Sequence, residues 1–85
     1  MFYVYVLESG LTKEWYIGFS RDLRARIKRH NQQGNKSTAH KGPWKLIYYE
    51  AYQDQNDALG REKFLKSGSG RRFLKKQMRH YLNLV

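Results

Sequence analysis

The chain contains no cysteine, so disulfides, thiolate nucleophiles and cysteine-based zinc sites are excluded. Acidic residues are scarce as well: seven Asp and Glu stand against seventeen Lys and Arg in 85 residues. With so few carboxylates and no closely spaced acidic pair, a two-metal phosphoryl-transfer site is not expected. His30, His40 and His80 lack the close pairing of a metal-ligand cluster. No apolar run is long enough to span a bilayer, and the N-terminus shows no export signal, so the expectation is a cytoplasmic protein that does not engage a membrane. The single proline, the 40% hydrophobic content and the 15% aromatic content read as a folded globule rather than a disordered tail. Eighty-five residues read as one domain, 1–85, with a small core.

What is abundant is positive charge. A formal net charge of +10 on so small a body repels itself unless an anionic partner is expected. Nucleic acid is the first such partner and an anionic membrane surface the second. The membrane reading is the weaker, because the basic residues are interleaved with aromatics and no helix pairs them with one broad hydrophobic face.

Residues 2–8, FYVYVLE, form a nearly continuous β-branched and aromatic run, the signature of a central strand covered on both faces. Residues 9–13 supply a Gly-containing hairpin loop, and a second strand follows over 14–19. There Trp15, Ile17 and Phe19 alternate with Tyr16 and Gly18, so Tyr16 points away from the Trp/Ile/Phe face. Ser20 or Asp22 can cap the next helix, on which Leu23, Arg26, Ile27 and His30 share one stripe at i, i+3, i+4, i+7. Residues 32–42 are polar, without periodicity, and read as a loop. Pro43 introduces a third strand, 44–52, in which Trp44, Leu46 and Tyr48 alternate with Lys45, Ile47 and Tyr49.

The helix between strands two and three favours a crossover that leaves those two parallel, with strand one antiparallel between them. Asp54 caps the next helix, with Asp57 completing an imperfect capping box, and Ala58, Glu62 and Leu65 form its inward stripe. Residues 67–70, SGSG, break it. Ser69 can cap a last helix whose apolar face is Leu74, Met78, Tyr81, Leu82 and Val85. The fold class expected is α+β, a three-stranded mixed β-sheet flanked by about three α-helices.

Two polar intrusions into apolar stripes stand out. Arg26 and His30 lie one turn apart beside a hydrophobic seam, where a guanidinium suits a phosphate. The plainer reading is that Arg26 lays its stem over the seam and His30 ends the helix against its dipole. Glu62 takes a place where an apolar residue belongs. A carboxylate there can bind Mg²⁺ or Mn²⁺, and a one-metal site is the better fit. The plainer alternative is an ion pair with Arg61 or Lys66.

Tyr3-Val4-Tyr5, the hairpin, Tyr16-Ile17-Gly18, Arg26, His30 and Glu62, in this order and spacing, resemble the GIY-YIG nuclease domain. More narrowly, the chain is similar to small stand-alone members that resemble the N-terminal domain of excinuclease C, from Phe2 to about Lys76. The resemblance implies a GIY-YIG fold and a hydrolytic phosphodiesterase with one Mg²⁺ or Mn²⁺ on Glu62. It makes Tyr16 the candidate general base, although free phenol has a pKa of about 10 and needs the help of Arg26 and a metal. Tyr5 would position the site, Arg26 would stabilise charge on the phosphate, and His30 would orient water or relay a proton.

Candidate contacts to nucleic acid are Arg21, Arg24, Lys28 and Arg29 on and before the first helix, and Lys36 and Lys41 in the loop. Lys66, Arg71, Arg72 and Lys75 on the last two helices complete the set. The chain departs from the family at three places: Tyr3 replaces a Gly, Phe19 replaces a Lys, and no Asn appears over 67–74, where Ser67 or Ser69 could substitute. The function expected is a metal-dependent DNA endonuclease of repair or recombination. The substrate is DNA, with RNA as a second candidate, no small-molecule cofactor is expected, and a dimer is one route to specificity. The rival is a catalytically inactive nucleic-acid-binding module of the same fold, acting on DNA or structured RNA.

Overall fold

The apolar run at the start of the chain becomes strand β1, Phe2–Ser9, and it is the middle strand of the sheet, whose order is β2-β1-β3. A computed structural model describes residues 1–32, 38 and 40–85. β2 is Trp15–Ser20, α1 Leu23–Gln32, β3 Trp44–Tyr52, α2 Gln55–Lys66 and α3 Gly68–Gln77. β1 pairs antiparallel with both neighbours. The two outer strands therefore run parallel to each other, as the crossover demands, but never bond. The sheet is antiparallel in its hydrogen bonding rather than mixed.

Val4, Val6 and Ile17 project from one face into a core closed by Ala58, Leu65, Leu74 and Met78 of the α2/α3 side. Tyr5 and Leu7 project from the other and are covered, with Trp44, by Leu23 and Ile27 of α1. This two-sided cover explains why β1 carries no alternation of apolar and polar residues.

β3 breaks the expected alternation. Val6 pairs with Tyr48 while Leu7 pairs with Leu46, so Ile47 is the extra residue of a β-bulge. Trp44 and Leu46 keep to the α1 face, whereas Tyr48 turns over to the α2/α3 face. There the Tyr48 and Tyr52 hydroxyls donate to Glu50 at 2.5 and 2.6 Å. Arg61 donates to both oxygens of the same carboxylate, at 2.9 and 3.1 Å, and lies over the rings of Phe64 and Phe73.

Asp22 caps α1, its Oδ1 accepting from the Ala25 amide at 3.1 Å, while Ser20 braces the Asp22 backbone. Asp54 caps α2 through the amides of Asn56 and Asp57. The cap of α3 is Ser67, not Ser69: Ser67 Oγ accepts from the Gly70 amide, and Ser69 Oγ accepts from Arg72. Gly70 is required by proximity, since a Cβ there would meet the Phe64 carbonyl oxygen at 2.0 Å. The last helix ends at Gln77, so its stripe does not extend as expected. Leu74 and Met78 are buried and Leu82 packs on the core, but Tyr81 is half-exposed and Val85 lies in solvent. Tyr81 instead donates to Glu8 at 2.8 Å.

Candidate active site

The site begins with a buried phenol. Tyr5 comes off the centre of β1 on the α1 face with no exposed surface. Opposite it in register stands Gly18, where a Cβ would lie 2.4 Å from the Tyr5 hydroxyl and 2.6 Å from the carbon bearing it. The glycine of Tyr16-Ile17-Gly18 is thus the gap through which the Tyr5 ring lies against β2.

The Tyr5 hydroxyl is 3.0 Å from Nε2 of His30, itself only 5% exposed, and Nδ1 of His30 is 3.1 Å from Oγ1 of buried Thr38. Burial holds the His30 pKa below its ordinary 6.5, and the charges of Arg26 and Arg29 add to that, so the ring is neutral. A neutral imidazole donates from one nitrogen and accepts at the other. Tyr5 and Thr38 are both hydroxyls able to donate or accept, so each ring nitrogen of His30 is engaged. For Tyr5 itself, burial and the neighbouring Tyr16 push the pKa up to about 12 against the pull of Arg26. This phenol stays protonated and serves as a donor, not a base.

Tyr16, on the same face of β2, is half-buried, with its ring centroid 4.7 Å from that of His30 and 6.3 Å from that of Tyr5. Glu62 belongs to α2, across the sheet, yet its charge also raises the Tyr5 pKa. The carboxylate therefore acts on the phenol from the opposite layer. Its side chain is 19% exposed and pairs with Lys66 at 3.1 Å, the lysine being 55% exposed. Arg61 is not its partner, being bound to Glu50.

Of the five residues proposed from sequence as the reacting group, Tyr5, Tyr16 and His30 are in direct contact, whereas Arg26 and Glu62 bear on Tyr5 through their charges. Beside them Phe19, Ser20, Arg21, Asp22, Ala25, Arg26 and Arg29 line a cleft of about 370 Å³. Phe19 stacks on Phe2, with centroids 6.1 Å apart, and Arg21 lies over the Phe2 ring. Three guanidinium groups thus line the cleft. Of the two serines offered for the missing Asn, Ser67 is occupied as the helix cap and as a donor to Phe64 O, and exposed Ser69 accepts from Arg72.

Of the basic candidates, Arg21, Arg24, Lys28 and Arg29 are exposed along the start and outer side of α1, and Arg71, Arg72 and Lys75 are exposed on α3. Lys41 is tied to Glu14 at 2.7 Å and Lys66 to Glu62. Lys36 lies outside the described residues. Sequence reading missed Thr38, the second partner of His30, because a polar loop without periodicity gives it no signal. Asn31 was missed too: it accepts from the Trp44 amide at 2.6 Å and donates to the Trp44 carbonyl at 3.0 Å, tying α1 to β3.

Comparison with known proteins bears on this arrangement. The family model of the GIY-YIG catalytic domain matches residues 1–77. A UPF0213 protein of Clostridium perfringens is 39% identical over 67 residues, which are 78% of this chain and 71% of that one. A UPF0213 protein of Pediococcus acidilactici is 39% identical over 77 residues, 87% of this chain and 78% of that one. Among solved structures, the solution NMR structure of a UPF0213 protein of Bacillus halodurans superimposes with a TM-score of 0.56 at 32% identity, covering 91% of this chain and 85% of that one.

Proposed function

This chain belongs to the GIY-YIG family of nucleases, and from that premise we propose that it is a divalent-metal-dependent endonuclease hydrolysing DNA phosphodiester bonds in repair or recombination. The observation that carries the reading is the packing of Tyr5, Tyr16 and buried His30 around one another, with the Tyr5 hydroxyl 3.0 Å from His30 Nε2, beside a cleft lined by Arg21, Arg26 and Arg29. A core that needed only packing would not bury a histidine against two phenols beside three guanidinium groups.

GIY-YIG nucleases generally depend on a divalent metal, and the donors here fit one oxygen-seeking ion. Among the described residues no three His, Asp or Glu side chains cluster. Glu62 is then a single protein ligand, with water and phosphate oxygens left to complete the shell, the habit of Mg²⁺ and Mn²⁺. Its bond to a half-exposed lysine is of the weak surface kind that a divalent ion displaces. When bound, such an ion supplies charge neutralisation at the scissile phosphate and its leaving oxygen.

In its phenolate form Tyr16 takes a proton from the attacking water, whose oxygen bonds to phosphorus as the bond to the leaving oxygen breaks, and the leaving oxygen takes a proton from solvent. Arg26 holds a non-bridging phosphate oxygen and stabilises the charge that builds there. His30 has both ring nitrogens engaged, so its part is to orient Tyr5 and to wall Tyr16 rather than to meet water directly. Tyr5 keeps its proton and, buried against His30, holds that ring in place.

The test is cleavage of labelled single-stranded, duplex, nicked and branched DNA, and of RNA, with Mg²⁺ or Mn²⁺, by wild type, Tyr16→Phe and Glu62→Ala. Metal-dependent DNA cutting that both substitutions abolish while binding persists supports the nuclease. Equal binding by all three proteins with no cutting of any substrate replaces it with a binding module.

A further inference from the structure

α1 has two flanks. The β2 flank borders the cleft of Arg26 and Arg29. The β3 flank borders a second groove, of about 480 Å³, floored by Tyr3, Leu46 and Tyr49 of the sheet and walled by Leu23, Arg24 and Ile27 of the helix. Arg21 and Asp22 line both, so the two join over the start of α1.

The second groove has features that packing does not require. Tyr49 stands opposite Tyr5 in register, on the same face, yet 54% of its surface is exposed. Its ring meets Tyr3 at 6.1 Å and 60°, a tilted contact, and more than half of its surface stays open to solvent. Arg21 and Arg24, both exposed, stand at the groove, while the Asp22 carboxylate is engaged in capping α1. An open aromatic ring, an apolar floor and flanking guanidinium groups match a planar base joined to a phosphate, in a volume of the size small ligands occupy. A paired base has both faces covered by its neighbours in the duplex, so only an unpaired one can lie on Tyr49.

We propose that this groove receives an unpaired nucleotide of single-stranded DNA next to the cleavage position, its base stacked on Tyr49 and its phosphate held by Arg24. The location next to the cleavage position rests on the nuclease reading; the binding does not. A substrate of this kind has a single-stranded segment crossing the start of α1 from one cleft to the other.

The experiment is binding of the full chain to a labelled oligothymidylate and to a blunt duplex of equal length, in EDTA, with an oligouridylate as a further arm. Tyr49→Ala is expected to weaken single-strand binding about tenfold and duplex binding less than twofold, with Tyr49→Phe close to wild type. Wild type is expected to quench a 2-aminopurine placed in the single strand, which reads stacking even if Tyr49→Ala fails to fold. An equal loss on single strand and duplex, or an unquenched 2-aminopurine, overturns the proposal. Tighter binding of the oligouridylate with the same dependence on Tyr49 overturns its assignment to DNA. Because metal is absent throughout, failure to cut DNA leaves this result standing, and intact cutting without stacking removes the groove alone.

Discussion

The two faces of the sheet use the same side-chain types to opposite ends. On the α2/α3 face, Arg61 and Glu50 are bound to each other through two hydrogen bonds, and the Tyr48 and Tyr52 hydroxyls donate to the same carboxylate. On the α1 face a tyrosine hydroxyl again sits at the centre, but the arginine and the carboxylate that act on it belong to helices in different layers. Arg26 lines the open cleft and Glu62 pairs with a half-exposed lysine. Charges locked to each other stabilise a fold and offer nothing to a substrate. Charges held apart at one phenol can act on a third group. The contrast separates a structural polar network from a candidate reacting one without reference to either's sequence motif.

The largest effect is expected where one face loses its cover altogether. Gly70→Ala sets a Cβ 2.0 Å from the Phe64 carbonyl oxygen and 2.4 Å from Leu65 Cα, backbone atoms that cannot swing aside. Urea unfolding should show a loss of about 3 kcal/mol or more.

Next comes the exchange of matched carboxylates. Glu50→Gln leaves Arg61 partly buried and uncompensated, and is expected to cost about 2 kcal/mol, discounted for an arginine 27% exposed, while folded protein cuts DNA as wild type does. Glu62→Gln is expected to do the reverse, with stability within about 0.5 kcal/mol and metal-dependent cutting lost. If the two variants cannot be told apart by stability and cleavage, the contrast between the faces is wrong.

Gly18→Ala is smaller and more local. The added methyl meets the Tyr5 hydroxyl, and the expected loss is about 1–3 kcal/mol. NMR titration should show the His30 pKa moving back toward 6.5 as the phenol is pushed out and the ring becomes wetter.

The smallest effect is a split in the acid response. His30 and Glu50 both titrate below their ordinary values of 6.5 and 4.5. For Glu50, burial pushes upward, but hydrogen bonds from Arg61, Tyr48 and Tyr52 with the arginine's charge outweigh it. In each case the unfolded chain binds more protons than the folded one, so stability is full above the unfolded value and falls as pH falls through the folded one. Denaturant midpoints should therefore decline in two steps, the first below pH 6.5 and absent in His30→Gln, the second below pH 4.5 and absent in Glu50→Gln.

Much of the chain's local structure was legible from one-dimensional rules. Period-two alternation placed β2, the unbroken apolar run identified β1 as central, and Asp54 marked the start of α2. The order and spacing of Tyr5, Tyr16, Arg26, His30 and Glu62 pointed to the family without coordinates. These signals lie in nearest-neighbour chemistry, which a sequence contains in full.

Other features depended on contacts between distant segments. The bulge at Ile47 moved Tyr48 across the sheet, because the register of β3 is decided by its partner strand and not by its own alternation. Ser67 rather than Ser69 capped α3, since Gly70 has to sit against the α2 backbone. Thr38 became a partner of His30 through a loop whose own sequence carries no pattern. The amino-acid sequence by itself determined which residues can react and in what order they come. Only the tertiary structure decided that Arg26 lines a cleft and Glu62 pairs with a half-exposed lysine, while Arg61 and Glu50 neutralise each other, because charge acts through space and not along the chain.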